Sequence, residues 1–134
     1  MGISLAALLD TLAFSSAQGL KQQPSPQLPA AQAAVVILSP AKDSQVPAHK
    51  PLPVVFRATP GSGGDHVHLL LDGILVRMLP IRGAYSFSGS IETRYILTDG
   101  LYPGHHTITI GLVDAAHTPI GVDASVTVVA IASR

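Results

Sequence analysis

The stretch His66-Val67-His68-Leu69-Leu70-Leu71-Asp72-Gly73-Ile74-Leu75-Val76-Arg77-Met78-Leu79 decides the fold. Asp-Gly between two aliphatic runs signals a two-residue hairpin, because a type I′ turn needs positive φ at both central positions and these residues tolerate it. The segment predicts antiparallel strands over His66 to Asp72 and Ile74 to Leu79. Side chains along a strand alternate between faces. Val67, Leu69 and Leu71 therefore make one aliphatic face that belongs in a core, while His66, His68, Leu70 and Asp72 share the opposite face.

The same grammar extends in both directions. Ala34 to Leu38 is a strand ended by Ser39-Pro40, and Leu52 to Ala58 is another. Pro51 and Pro53 confine the start of the latter to a sheet edge or a strand beginning, since proline cannot donate to a ladder. Thr59-Pro-Gly-Ser-Gly-Gly64 is a loop. Strands are expected at Ala84 to Ile91, Thr93 to Leu97, His106 to Val113 and Val122 to Ile131, with Asp99-Gly100 and Ala115-Ala-His-Thr-Pro119 as turns. Seven or eight short strands at about 10-residue spacing, with no helical period after the N-terminal region, predict an all-β, immunoglobulin-like antiparallel sandwich.

Composition narrows the possibilities. A chain of 134 residues fits one domain, and a formal net charge of zero without a basic run gives no electrostatic reason to seek nucleic acid or anionic lipid. The absence of cysteine removes disulfides, thiolate zinc sites, copper sites that need a Cys ligand, and c-type haem attachment. With tryptophan also absent, the antibody-type Cys pair around a buried Trp is excluded, so any immunoglobulin likeness is architectural.

The N-terminal region has its own character. Ile3 to Leu12 is apolar apart from Ser4, Asp10 and Thr11, and it leads to Ser15 and Ala17, small residues at the spacing that signal peptidase reads. Residues 1–17 are expected to be a signal peptide, giving a periplasmic or secreted product; the alternative is a short amphipathic helix. The run is far short of the roughly 20 apolar residues of a membrane span. Pro24, Pro26 and Pro29 make residues 18–32 an extended, solvated spacer, and the sandwich is expected over 33–132.

Five of the six histidines fall in three groups: His66 with His68, His105 with His106, and His117. His66 and His68 project from one face about 7 Å apart. A His-x-His pair on a strand offers two imidazoles to a metal, with a third ligand from a neighbouring strand. In immunoglobulin-like order the His66 strand and the penultimate strand are neighbours, which lets His105 approach the pair on the outer face and leaves His106 at the inner rim. Without thiolates the site is nitrogen and oxygen only, suiting Cu(II) or Zn(II). Asp114 and His117 are expected to organise a turn instead, since an Asp side chain bonds backbone two residues on.

These residues also carry a resemblance. Val35-Val-Ile-Leu-Ser-Pro40, His66-Val-His-Leu-Leu-Leu-Asp-Gly73, Leu101-Tyr-Pro-Gly-His-His-Thr-Ile108 and Asp114-Ala-Ala-His-Thr-Pro119 resemble the motifs of a group of poorly characterised exported bacterial immunoglobulin-like or cupredoxin-like domains. The likeness runs from Val35 to Val129. His66, His68, His106, Asp114 and His117 fall on matching positions and His105 does not, so the resemblance favours His106 as the third ligand, with His105 as its substitute. It implies a sandwich and export; the family has no settled activity to carry over.

No enzyme signature is present: there is no Gly-x-Ser-x-Gly elbow, no phosphate loop and no evident carboxylate pair. Two readings of function follow. One is an exported, non-catalytic binding module for Cu(II) or Zn(II). The other is a structural or adhesion-type sandwich that meets a protein partner through its sheet edges.

Overall fold

The computed structural model describes residues 32–81 and 89–133. Eight strands form: β1 (Ala34–Ser39), β2 (Gln45–Pro47), β3 (Leu52–Thr59), β4 (His66–Leu71), β5 (Ile74–Pro80), β6 (Ile91–Leu97), β7 (Gly104–Val113) and β8 (Pro119–Ile131). They make a three-stranded sheet in the order β1-β3-β6 and a five-stranded sheet in the order β2-β8-β7-β4-β5. The expected all-β sandwich is the observed architecture.

Alternation builds the core. Val54, Phe56 and Ala58 of β3 are fully buried, as are Val67 and Leu69 of β4, Ile108 and Ile110 of β7, and Val128 of β8. These inward rows of the two sheets form one apolar cluster, whose burial supplies the main driving force for folding. Pro53 is tolerated in the central strand β3 because it lies at the strand's beginning.

The hairpin between β4 and β5 turns on Asp72 and Gly73, whose φ values of 51° and 84° are both positive, as the Asp-Gly signal requires. β4 also pairs antiparallel with β7, so His66 faces Val113 and Leu71 faces Ile108. The start of β4 therefore meets the end of β7. β7 and β8 then form a long hairpin closed by residues 114–118.

Besides shifts of one to three residues at strand ends, two details differ from the sequence expectations. β2, which runs parallel to the end of β8, comes from Gln45-Val46-Pro47, too short and too polar to announce itself. β6 unites Ile91 with the expected Thr93–Leu97 strand, and the rest of the strand expected over Ala84 to Ile91 lies largely outside the described residues. Among the described residues, no helix is long and apolar enough to cross a membrane.

Candidate metal centre

The turn that closes β7 and β8 is built by Asp114. Its Oδ1 accepts hydrogen bonds from the N–H groups of Ala116 (2.8 Å) and Thr118 (2.9 Å), while its carbonyl accepts from His117 N–H (3.0 Å). The Asp114 N–H donates in turn to the Thr118 carbonyl at 3.0 Å. This is the turn-organising role expected of Asp114. It holds His117 in the left-handed region at φ 67°, a conformation that a residue with a Cβ adopts at a cost.

The imidazole of His117 does more than serve the turn. Its Nδ1 lies 3.1 Å from Nε2 of His66 and 3.3 Å from Nε2 of His68. The three rings cluster with centroids 4.7 to 5.5 Å apart. Among the described residues, His66, His68 and His117 each offer one ligand atom, and these atoms lie within 4.8 Å of one another. Two nitrogens bound to one tetrahedral zinc at about 2.0–2.1 Å sit about 3.3 Å apart, so the two separations at His117 Nδ1 match shared coordination. One hydrogen on His117 Nδ1 can satisfy only one of its two neighbours, so direct hydrogen bonding leaves this trio incompletely paired.

A carboxylate stands behind the cluster. Asp65 Oδ2 accepts from Nδ1–H of His66 at 2.9 Å. A carboxylate has no hydrogen to give, so the hydrogen resides on Nδ1, and in the neutral ring Nε2 presents its lone pair to the other two imidazoles. Such a partner fixes the tautomer and orientation of the ring. Asp65 is itself tied down through its N–H, which donates to the Val113 carbonyl at 2.8 Å. Burial, followed by the neighbouring His66 and His117, holds the pKa of His68 below the ordinary histidine value, which keeps its ring neutral and free to ligate.

Strand parity placed His66 and His68 correctly on the outer face; strand direction changes the third partner. His106 is near neither. Its Nδ1 lies 2.6 Å from Asp72 Oδ2 and its Nε2 lies 2.7 Å from the Tyr102 carbonyl. Both partners can only accept, so both ring nitrogens donate and no lone pair remains for a metal in this arrangement. The hydrogen bond to Asp72 leads in raising the pKa of His106; burial opposes it and the Tyr102 carbonyl supports it. Asp72 also accepts from Thr107 N–H at 2.8 Å, so the pair clasps the β4–β5 turn to the start of β7.

His105 is exposed and faces Val129 across the β7–β8 ladder. It lies eight residues before Val113, about 27 Å along the strand from the end that meets His66. The third imidazole beside His66 and His68 is therefore that of His117, which sequence reasoning assigned to the turn alone. The available signal was directional: antiparallel pairing of β4 with β7 puts an Asp-x-x-His turn after β7 directly over a His-x-His that begins β4.

Beside the cluster is an open hollow of about 400 Å³ bordered by Asp65, His66, Met78, Leu79, Pro80 and His117. On the other side of His68 a smaller groove of about 200 Å³ runs across Gly111 to Asp123. Gly111 faces His68 and Asp123 in the two ladders, and its missing side chain leaves that groove open. A metal held by the three imidazoles thus retains an accessible side.

No protein-family model and no curated protein matches the chain. Solved structures do resemble it. The fibronectin(III)-like modules of Clostridium thermocellum CbhA align with a TM-score of 0.52 at 16% identity, covering 76% of this chain and 48% of that one. The chain thus spans about half the length of that structure. The CARDB domain of a Pyrococcus furiosus protein, solved in complex with di-metal ions, aligns with a TM-score of 0.55 at 14% identity, covering 81% of this chain and 100% of that one. At these identities the likeness concerns the fold, a β-sandwich of the immunoglobulin and fibronectin kind.

Proposed function

We propose that this protein is an exported, non-catalytic β-sandwich module that binds a single Cu(II) or Zn(II) ion through His66, His68 and His117. In this reading residues 1–17 are a signal peptide, 18–32 a spacer, and 33–132 the binding domain, working in the periplasm or outside the cell. The observation that carries the metal assignment is the convergence of His66 Nε2, His68 Nε2 and His117 Nδ1, with Asp65 behind the first of them. Three neutral nitrogens and no thiolate suit Cu(II) or Zn(II) and leave at least one position for water or a ligand. That a sandwich of related fold was solved with di-metal ions is compatible with this use of the architecture, and the residues themselves carry the assignment.

Calorimetric titration of the full chain with Zn(II) and with Cu(II) tests the reading. One saturable site that disappears in His66→Ala/His68→Ala supports it. Heats that do not saturate, or a site unchanged in the double variant, overturn it. Export has a separate test: secreted material should begin near Gln18, and an intact Met1 contradicts the signal peptide.

One observation favours the second reading, a sandwich that meets a protein partner by its edge. β5 ends the five-stranded sheet, and its Ile74, Leu75, Val76 and Met78 are 40 to 70% exposed. An exposed apolar edge strand is a ready template for pairing with another chain. Concentration-dependent self-association in sedimentation experiments, abolished by Val76→Lys, is its expected signature.

A further inference from the structure

Resting on the tri-histidine reading, we propose that the site also takes copper as Cu(I), with the thioether of Met78 as a fourth ligand. Met78 is the Cα partner of His68 across the β4–β5 ladder. Directly paired residues project from the same face with Cβ atoms about 4.5–5.5 Å apart. Met78 therefore stands beside the imidazoles, on the flank opposite Gly111. It borders the same hollow as His66 and His117. The hollow is open to a ligand that completes the coordination shell.

The chemistry of the side chain decides the metal. A thioether is soft and polarizable, and it selects Cu(I) over the harder divalent ions, which imidazoles alone do not discriminate. Its unbranched side chain has enough freedom to swing onto an ion without moving the strand. Met78 is 51% exposed, so little of its side chain serves the core. The chain has two methionines and no cysteine, which makes Met1 the only other sulfur that a copper ion can meet.

The test uses the full chain and the near-isosteric Met78→Leu variant, which keeps the apolar character of a half-exposed position. Each is titrated anaerobically with Cu(I) in competition with a chromogenic cuprous chelator, and separately with Zn(II). X-ray absorption at the copper edge is then recorded on the Cu(I) forms. The expected result is a sulfur neighbour of copper in the parent that is lost in Met78→Leu. Cu(I) affinity should fall at least about tenfold, since removing even a partner that merely orients a ligand costs about 10–100-fold, while Zn(II) affinity stays within about threefold. Zinc binding by both proteins, with nitrogen-only Cu(I) in the parent or unchanged Cu(I) affinity in Met78→Leu, overturns the Met78 assignment and leaves the tri-histidine site standing. Binding of neither metal by the parent overturns both.

Discussion

Nε2 of His66 lies 3.1 Å from Nδ1 of His117, although 51 positions separate the two residues in the chain. The contact is a consequence of topology. β4 begins where β7 ends, so the turn after β7 stands over the first residue of β4. Asp114 shapes that turn and Asp65 aims the ring of His66. Each of the following predictions probes one part of this arrangement.

Replacing Asp65 with Ala removes the acceptor that fixes the Nδ1–H tautomer of His66. Zn(II) affinity is expected to fall about 10–100-fold while all three ligands remain present. Competition against a zinc chelator measures the change. An affinity within about twofold of the parent means that Asp65 does not orient His66.

His117→Gly separates the cost of the turn from its use. A residue with a Cβ in the left-handed region costs about 1–2 kcal/mol, part of which glycine returns as chain entropy on unfolding. The metal-free variant is expected to match the parent or exceed it by up to about 1 kcal/mol in denaturant unfolding, while losing the metal site. A clear loss of stability instead makes His117 a structural residue of the turn.

The clasp of His106 and Asp72 has its own pH signature. His106 has its pKa raised above 6.5, so its contribution is fully present below that value and is lost as pH rises through the higher folded value. Burial pushes the Asp72 carboxyl up, but Thr107 N–H and His106 outweigh it and hold the pKa below 3.8. The Asp72 contribution is fully present above 3.8 and is lost as pH falls through the lower folded value. The stability difference between parent and His106→Ala should therefore be greatest from about pH 4 to 6.5 and shrink on both sides. Asp72 is nearly half exposed, so solvent screening keeps this difference to about 1 kcal/mol. A flat difference from pH 3 to 9 contradicts the clasp.

The sandwich itself is tested at Phe56, which is fully buried between the sheets. Phe56→Ala is expected to cost about 3–5 kcal/mol in denaturant unfolding, against less than about 1 kcal/mol for Met78→Leu on the outer face. Equal costs at the two positions mean that the inner and outer faces are assigned wrongly.

Much of this was legible in the chain. Val67 and Leu69 identify the inner face of β4, and Asp72-Gly73 fixes the hairpin, because alternation and turn chemistry are local properties. The same parity puts His66 and His68 together outside. The partner of that pair is a non-local property. Parity states which face His105 or His106 occupies, but only the antiparallel register states which end of β7 approaches His66. His106, which the resemblance favoured as the third ligand, spends both nitrogens on Asp72 and Tyr102. The strand Gln45–Pro47 escaped for a different reason: three residues carry too little pattern, and its pairing with β8 is long-range.

The imidazole ¹⁵N spectrum of the full chain, recorded before and after one equivalent of Zn(II), tests the central claim most directly, because it reports which nitrogen of each of the six histidines binds. The account predicts metal-type shifts at Nε2 of His66, Nε2 of His68 and Nδ1 of His117, with His49, His105 and His106 unmoved. Shifts at His105 or His106, or none at His117, contradict it.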